Sequence, residues 1–164
     1  MPCSLDKNTV LQLIIAKLKI DLDVLQRAAQ TAYETATHEE NIAENKYDTL
    51  GLEASYLATG QARRVEEIRQ SLLLFQNLHL RPFDTLRGIQ IGDLVSLETD
   101  TGSQQQLFIG PDAAGLKIQQ GDRSITVITP HAPLGKSLVG KARGDTVEIV
   151  INHARQSFEV IEAQ

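Results

Sequence analysis

The sequence predicts an α+β protein of two consecutive parts: an N-terminal antiparallel coiled-coil helical hairpin, then a small antiparallel-sheet domain with one short helix. Two observations predict the order. Leu11, Ile15, Leu18, Leu22, Leu25, Ala29, Ala32 and Ala36 step forward by four and three, and Ala43, Tyr47, Leu50, Ala54, Leu57 and Gln61 resume the rhythm after a polar break. The first 80 residues contain only Gly51, Gly60 and Pro2 as helix breakers, whereas the remaining 84 hold nine glycines and four prolines. The boundary therefore falls between a helical stretch, 1–80, and a turn-rich stretch, 81–164.

Helix 1 is expected from about Asp6 or Asn8 to about Ala36, with Ser4 or Asp6 as its cap. Its seam shrinks from leucine and isoleucine to alanine toward the break. Matched outward from there, Ala36 faces Ala43, Ala32 faces Tyr47, Ala29 faces Leu50, Leu25 faces Ala54 and Leu22 faces Leu57, each pair of numbers adding to 79. Small residues opposite large ones at three of these five layers allow close approach without voids. From Leu11 to Ala36 the arm spans roughly 38 Å at about 1.5 Å per residue. Helix 2 continues through Val65, Ile68, Leu72 and Phe75, with a stutter near Gln61 that locally unwinds the supercoil. Gln61 would sit on the seam opposite Leu18, where a buried amide sets register more often than it does chemistry.

Pro82 ends the helical part by disfavouring helical geometry at Arg81. Five short β-type runs follow, at 94–97, 106–109, 124–128, 146–151 and 157–161, with a short helix expected within Ala132–Gly140.

Composition narrows the function classes. Net charge is −5, with 11 acidic and 8 basic residues before residue 81 and 10 and 8 after it, which excludes a general polyanion binder. One cysteine, Cys3, forbids an internal disulfide and suits a reducing compartment. The N-terminus lacks a secretory pattern and no apolar run is long enough to span a bilayer, so a cytoplasmic protein without membrane contact is expected. Cys3 and the four histidines are too scattered for a zinc site, and there is no phosphate loop or nucleophile elbow.

Chemistry concentrates at the break. Glu34, Glu39, Glu40, Glu44, Asp48 and Glu53 face a single lysine, Lys46, between residues 34 and 53. Thr37 with Glu40 and Asn41 with Glu44 both fit a capping box; the latter leaves a loop of about five residues from which Glu39 and Glu40 project, giving an acidic tip at about 37–44. Such carboxylates could lend oxygens to a hard cation, or orient a water, at another protein's active site. The plainer reading is that acids favour the positive end of a helix and keep the tip soluble. His38 beside them reads as a surface residue. Arg63 and Arg64 read as a solvated face, and as contacts if a partner lies alongside. Pro130, Pro133 and Leu134 can be turn and core residues as readily as docking residues.

Both halves together resemble the bacterial Gre-type transcript cleavage factors, GreA and GreB. The segment Asn41-Ile42-Ala43-Glu44-Asn45-Lys46-Tyr47 is similar to the acidic Gre tip. Residues 128–145, Ile-Thr-Pro-His-Ala-Pro-Leu-Gly-Lys-Ser-Leu-Val-Gly-Lys-Ala-Arg-Gly-Asp, resemble the Gre C-terminal signature and are the more specific match. The resemblance implies a coiled coil followed by an FKBP-like domain in a transcription elongation factor, with DNA binding among such a factor's expected properties. It implies that Pro130, Pro133, Leu134 and Gly135 dock on RNA polymerase at the secondary channel, with Arg63 and Arg64 alongside. Glu40 and Glu44, assisted by Glu39 and Asn41, would act near the polymerase's Mg²⁺, promoting cleavage of backtracked RNA at its 3′ end. No cofactor is tightly bound; the Mg²⁺ belongs to the polymerase, and the factor is not itself an enzyme.

The chain departs from the Gre pattern in two places. Aligned on Glu44-Asn45, the Gre catalytic aspartate falls on Asn41, a poorer metal ligand. The distance from Tyr47 to Arg64-Val65 is about four residues longer, coinciding with the stutter. A non-cleaving secondary-channel regulator is therefore the alternative. An FKBP-like prolyl isomerase or chaperone is a third, disfavoured because the C-terminal half offers only Phe83, Phe108 and Phe158 to line a pocket. Self-association through the arm stays open.

Overall fold

The structure is a computed structural model that describes the backbone of residues 6–42 and 49–164 and the side chains of residues 6–35 and 60–164. Two long helices, α1 (Lys7–Ile42) and α2 (Thr49–Gln76), precede β1 (Leu94–Thr99), β2 (Gln104–Ile109), β3 (Lys117–Gln120), β4 (Arg123–Ile128), α3 (Pro133–Leu138), β5 (Thr146–Ile151) and β6 (Ala154–Ala163). By packing, the chain forms two compact units, one of Met1–Ile15 with Leu74–Gln164 and one of Ala16–Leu73. The sequence changes character at residues 80 and 81, while the first turns of α1 and the end of α2 pack with the sheet.

In the first unit, Asp6 caps α1: its Oδ2 accepts from the Thr9 N–H at 3.4 Å and from the Thr9 hydroxyl at 3.2 Å. The six strands lie in the order β3-β4-β2-β1-β6-β5. Neighbours run antiparallel except β2 and β4, which pair parallel from Gln106↔Ile125 to Ile109↔Ile128. Five antiparallel runs were expected. The sixth, β3, supplies the return that makes the parallel pair possible, since β2 must cross over before β4 can run alongside it.

Central strand β1 is buried at four successive positions, Leu94 to Ser96 and Leu97, so both its faces are covered. One face holds a cluster of Ile89, Val95, Leu97, Leu107, Ile109, Val147, Ile149, Phe158 and Val160, closed by Leu138 of α3. Alternation sends Phe108 to the other face, where its ring lies 6.4 Å from that of Phe75 at the end of α2. Gly110 makes room for that ring, because a Cβ there would come within 2.9 Å of Phe75 Cζ and 2.8 Å of Val127 Cγ1.

In the second unit, Leu18 on α1 and Val65, Ile68, Ser71 and Leu72 on α2 are buried. Leu22, Leu25, Ala29 and Ala32 are half-buried, in keeping with the seam read on helix 1. The expected end of helix 1 is corrected. The helix continues for six residues past Ala36, because Ala-Thr-His-Glu-Glu-Asn-Ile contains neither glycine nor proline and includes good helix formers. Pairing that adds to 79 requires a turn centred between His38 and Asn41, yet both are helical. The helix pairing inferred from the mirror, including Leu18 opposite Gln61, therefore does not hold. No helix among the described residues is long and apolar enough to cross a membrane.

Candidate functional site

The candidate residues fall in three places: the end of α1, the middle of α2, and the loop through α3. Glu39, Glu40 and Asn41 sit on the helical backbone of α1, in its last turn as described, rather than on a loop. The five-residue loop of 37–41 is thus overturned, and the Asn41 cap with it. Glu44 lies outside the described residues, and so do the side chains of Glu39, Glu40 and Asn41. Among the described residues, no group of three or more histidine, cysteine or acidic side chains could hold a metal.

On α2, Arg63 and Arg64 are exposed. Arg64 Nη1 pairs with Glu67 Oε2 at 3.0 Å, a surface pair one helical turn apart that contributes little. Gln61 is half-buried, and its Oε1 is buried without a hydrogen-bond partner among the described residues.

Residues 129–145 form a tightly tied segment. The Thr129 carbonyl accepts from Ala132 N–H at 3.1 Å, and a Cβ on Gly135 would approach that same oxygen to 1.9 Å. Glycine is therefore required at 135 for α3 to close over Thr129. Leu138 is fully buried and Leu134 packs against the same core cluster. After α3, Gly140 N–H donates to Ile89 O at 2.9 Å and Ile89 N–H returns a bond to Lys141 O at 2.8 Å. Gly88 is required by that approach, since its Cβ would meet Gly140 backbone at 2.4 Å. The final Asp145 accepts the Ala142 N–H through Oδ2 at 2.8 Å. Most of the signature thus builds architecture: Gly135, Leu138, Gly140 and Asp145 hold the segment on the sheet. Of the four docking residues named from sequence, Gly135 is buried, Pro130 and Leu134 are half-buried, and Pro133 is exposed. His131, Lys136, Lys141 and Arg143 are also exposed.

A cavity of about 560 Å³ lies between the start of α1 and the end of α2, lined by Lys7, Leu11, Phe75, His79 and Arg81 among others. Phe75 is its one aromatic. Phe108 and Phe158 are buried and Phe83 packs on the core cluster, so the aromatic side chains of the C-terminal half are used by the fold.

Two long helices followed by a small mixed sheet, with a Gly-tied segment whose Leu138 closes the core cluster on one face, define a two-part chain: a helical element and a folded C-terminal domain. Residues 85–164 match the family described as transcription elongation factor, GreA/GreB, C-terminal. The transcription elongation factor GreA of Desulfovibrio desulfuricans (strain ATCC 27774 / DSM 6949 / MB) is 29% identical over 166 residues, covering 98% of this chain and 91% of that protein. GreA of Syntrophobacter fumaroxidans (strain DSM 10017 / MPOB) is 27% identical over 151 residues, covering 89% and 90%. Among solved structures, GreA factor homolog 1 (Gfh1) of Thermus thermophilus aligns over 92% of this chain and 94% of its own at 21% identity, with a TM-score of 0.38. Residues 85–164 match the C-terminal domain of the GreA/GreB family, and the chain as a whole is similar to Gre-type transcription elongation factors.

Proposed function

We propose that this factor binds RNA polymerase at the secondary channel and brings the carboxylates at the end of its helical arm to the polymerase active site, where they promote cleavage of backtracked RNA. The observation that carries the reading is the acidic end of the arm. From Ala16 to Ile42, α1 extends about 40 Å at about 1.5 Å per residue. Glu39 and Glu40 lie on its last described turn, within a stretch that holds six acids against one lysine between residues 34 and 53. Glu40 and Glu44 have the right donor chemistry for a hard cation, and two carboxylates leave the rest of an octahedral shell to the polymerase. A cation held that way would supply Lewis-acid stabilisation of the phosphodiester; this chain's own part is to position oxygens and water. The RNA 3′ end would be met only inside the polymerase, and the catalytic centre would be the polymerase's own.

The test is a stalled elongation complex supplied with Mg²⁺. Wild type is expected to release short 3′ RNA fragments, and a Glu40→Ala, Glu44→Ala double variant to lose that stimulation. Equal behaviour of the two sinks the mechanism.

Asn41 favours a second reading, a secondary-channel regulator that does not cleave. An amide offers a weaker ligand than a carboxylate at the position where the resemblance expects aspartate. Displacement of a cleaving Gre factor without RNA release would support this reading; absence of displacement would end it.

A further inference from the structure

The turn at residues 84–88 carries a feature that the fold does not use. Leu86 is 96% exposed, yet its turn is firmly built. The Asp84 carboxylate accepts the Leu86 N–H at 2.9 Å, the Asp84 carbonyl accepts the Gly88 N–H at 2.8 Å, and Gly88 holds a positive φ of 76°. A leucine held almost wholly in water on an ordered turn forgoes about 1.5–3 kcal/mol of burial.

Its surroundings are defined by the same ties that order the Gre signature. Gly88 abuts the backbone of Gly140 and Lys141, and Ile89 exchanges hydrogen bonds with Gly140 and Lys141. Phe83 and Leu134, just before the turn and within α3, pack against one core cluster. The turn and the segment 131–145 are therefore neighbours. That segment exposes Lys136, Lys141 and Arg143 against one acid, Asp145, whose Oδ2 already accepts a backbone N–H. Within the turn, Arg87 and Asp84 pair at 3.8 Å and cancel. The result is a local excess of two positive charges, three cations against one anion, on a chain of net charge −5.

We infer that Leu86, on the turn whose backbone abuts the segment that exposes Lys136, Lys141 and Arg143, is the anchor of a docking surface for an acidic protein face with an apolar recess, presented by the polymerase. An exposed aliphatic side chain on a preorganised turn loses little entropy on burial, and a basic rim steers it toward an acidic partner. This inference rests on the polymerase-binding reading above and adds the residue that carries the contact.

Binding of the full-length protein to purified RNA polymerase tests it. Leu86→Ser is expected to weaken binding about tenfold or more while leaving the melting temperature unchanged, because a side chain 96% exposed contributes almost nothing to the fold. Val150→Ser, removing another exposed apolar side chain from β5, is the matched control and is expected to bind as wild type. A Lys136→Glu, Lys141→Glu variant is expected to bind more weakly and with less dependence on salt. Undiminished binding by Leu86→Ser overturns the docking surface and leaves the polymerase reading standing. A wild-type protein that does not bind polymerase at all overturns both.

Discussion

Lys7 and Asp93, 86 residues apart in sequence, form a largely buried ion pair that joins the start of α1 to the turn before β1. Lys7 Nζ lies 3.2 Å from Asp93 Oδ1, with side-chain exposures of 13% and 8%. Each ion has a second partner: Lys7 also donates to the Arg81 carbonyl, and Asp93 Oδ2 accepts the Gln90 N–H at 2.8 Å. Asp93 further ties the turn into the sheet, its carbonyl accepting the Ile109 N–H at 3.0 Å.

Removing one partner of this pair is therefore expected to be costlier than removing both. Lys7→Met leaves a carboxylate with one remaining hydrogen bond in a buried place, for an expected loss of about 3 kcal/mol. Lys7→Met with Asp93→Asn is expected to recover part of that loss. Urea melts of the two single variants and the double variant give the coupling directly, and strict additivity would show that the ions do not act as a pair.

Gly135 and Pro133, two residues apart on α3, should respond in opposite ways. A Cβ at 135 would sit 1.9 Å from the Thr129 carbonyl oxygen, which is backbone and cannot swing aside. Gly135→Ala is thus expected to cost at least about 2 kcal/mol by forcing α3 off the sheet. Pro133 is exposed, and Pro133→Ala is expected to stay within about 0.5 kcal/mol of wild type. Thermal melts of both variants measure the contrast.

Legibility from sequence follows how many neighbours on the chain a feature depends on. The two helices and five strands were readable because each repeats its pattern over several residues, from Leu18 to Ala32 on α1 or from Val147 to Ile149 on β5. Strand β3 was missed because its four residues, Lys-Ile-Gln-Gln, contain one apolar side chain, Ile118, and no repeat. The end of α1 was misplaced because Asn41 with Glu44 satisfies the spacing of a cap, while nothing between Ala36 and Ile42 breaks the helix. The structural duty of Gly88 and Gly135 was invisible for another reason. Each is set by a backbone approaching from elsewhere, Gly140 in one case and Thr129 in the other.

The β5–β6 hairpin turns through Asn152 and His153 with φ of 52° and 66°, the doubly positive geometry of a type I′ turn. Asparagine tolerates that geometry, but histidine has a Cβ that crowds the following carbonyl. His153→Gly is expected to raise stability by about 0.5–1 kcal/mol, or a rise of a few degrees in melting temperature. A fall in melting temperature would mean that the His153 side chain stabilises the turn more than its backbone strain costs.

Asn41 gives the most discriminating test of what the arm does. It follows Glu40 directly on the last described turn of α1, so replacing its amide with a carboxylate adds a third successive acid, after Glu39 and Glu40. Asn41→Asp is expected to lower stability slightly, by about 0.3 kcal/mol, through repulsion among three neighbouring like charges. If the arm's end supplies cation-binding oxygens, the same change is expected to increase stimulated RNA cleavage several-fold, because a carboxylate binds Mg²⁺ better than an amide. Stability and cleavage then move in opposite directions in one variant, which a merely solubilising role for the acids cannot produce. Cleavage that stays unmeasurable in Asn41→Asp while polymerase binding is intact would instead favour the non-cleaving regulator.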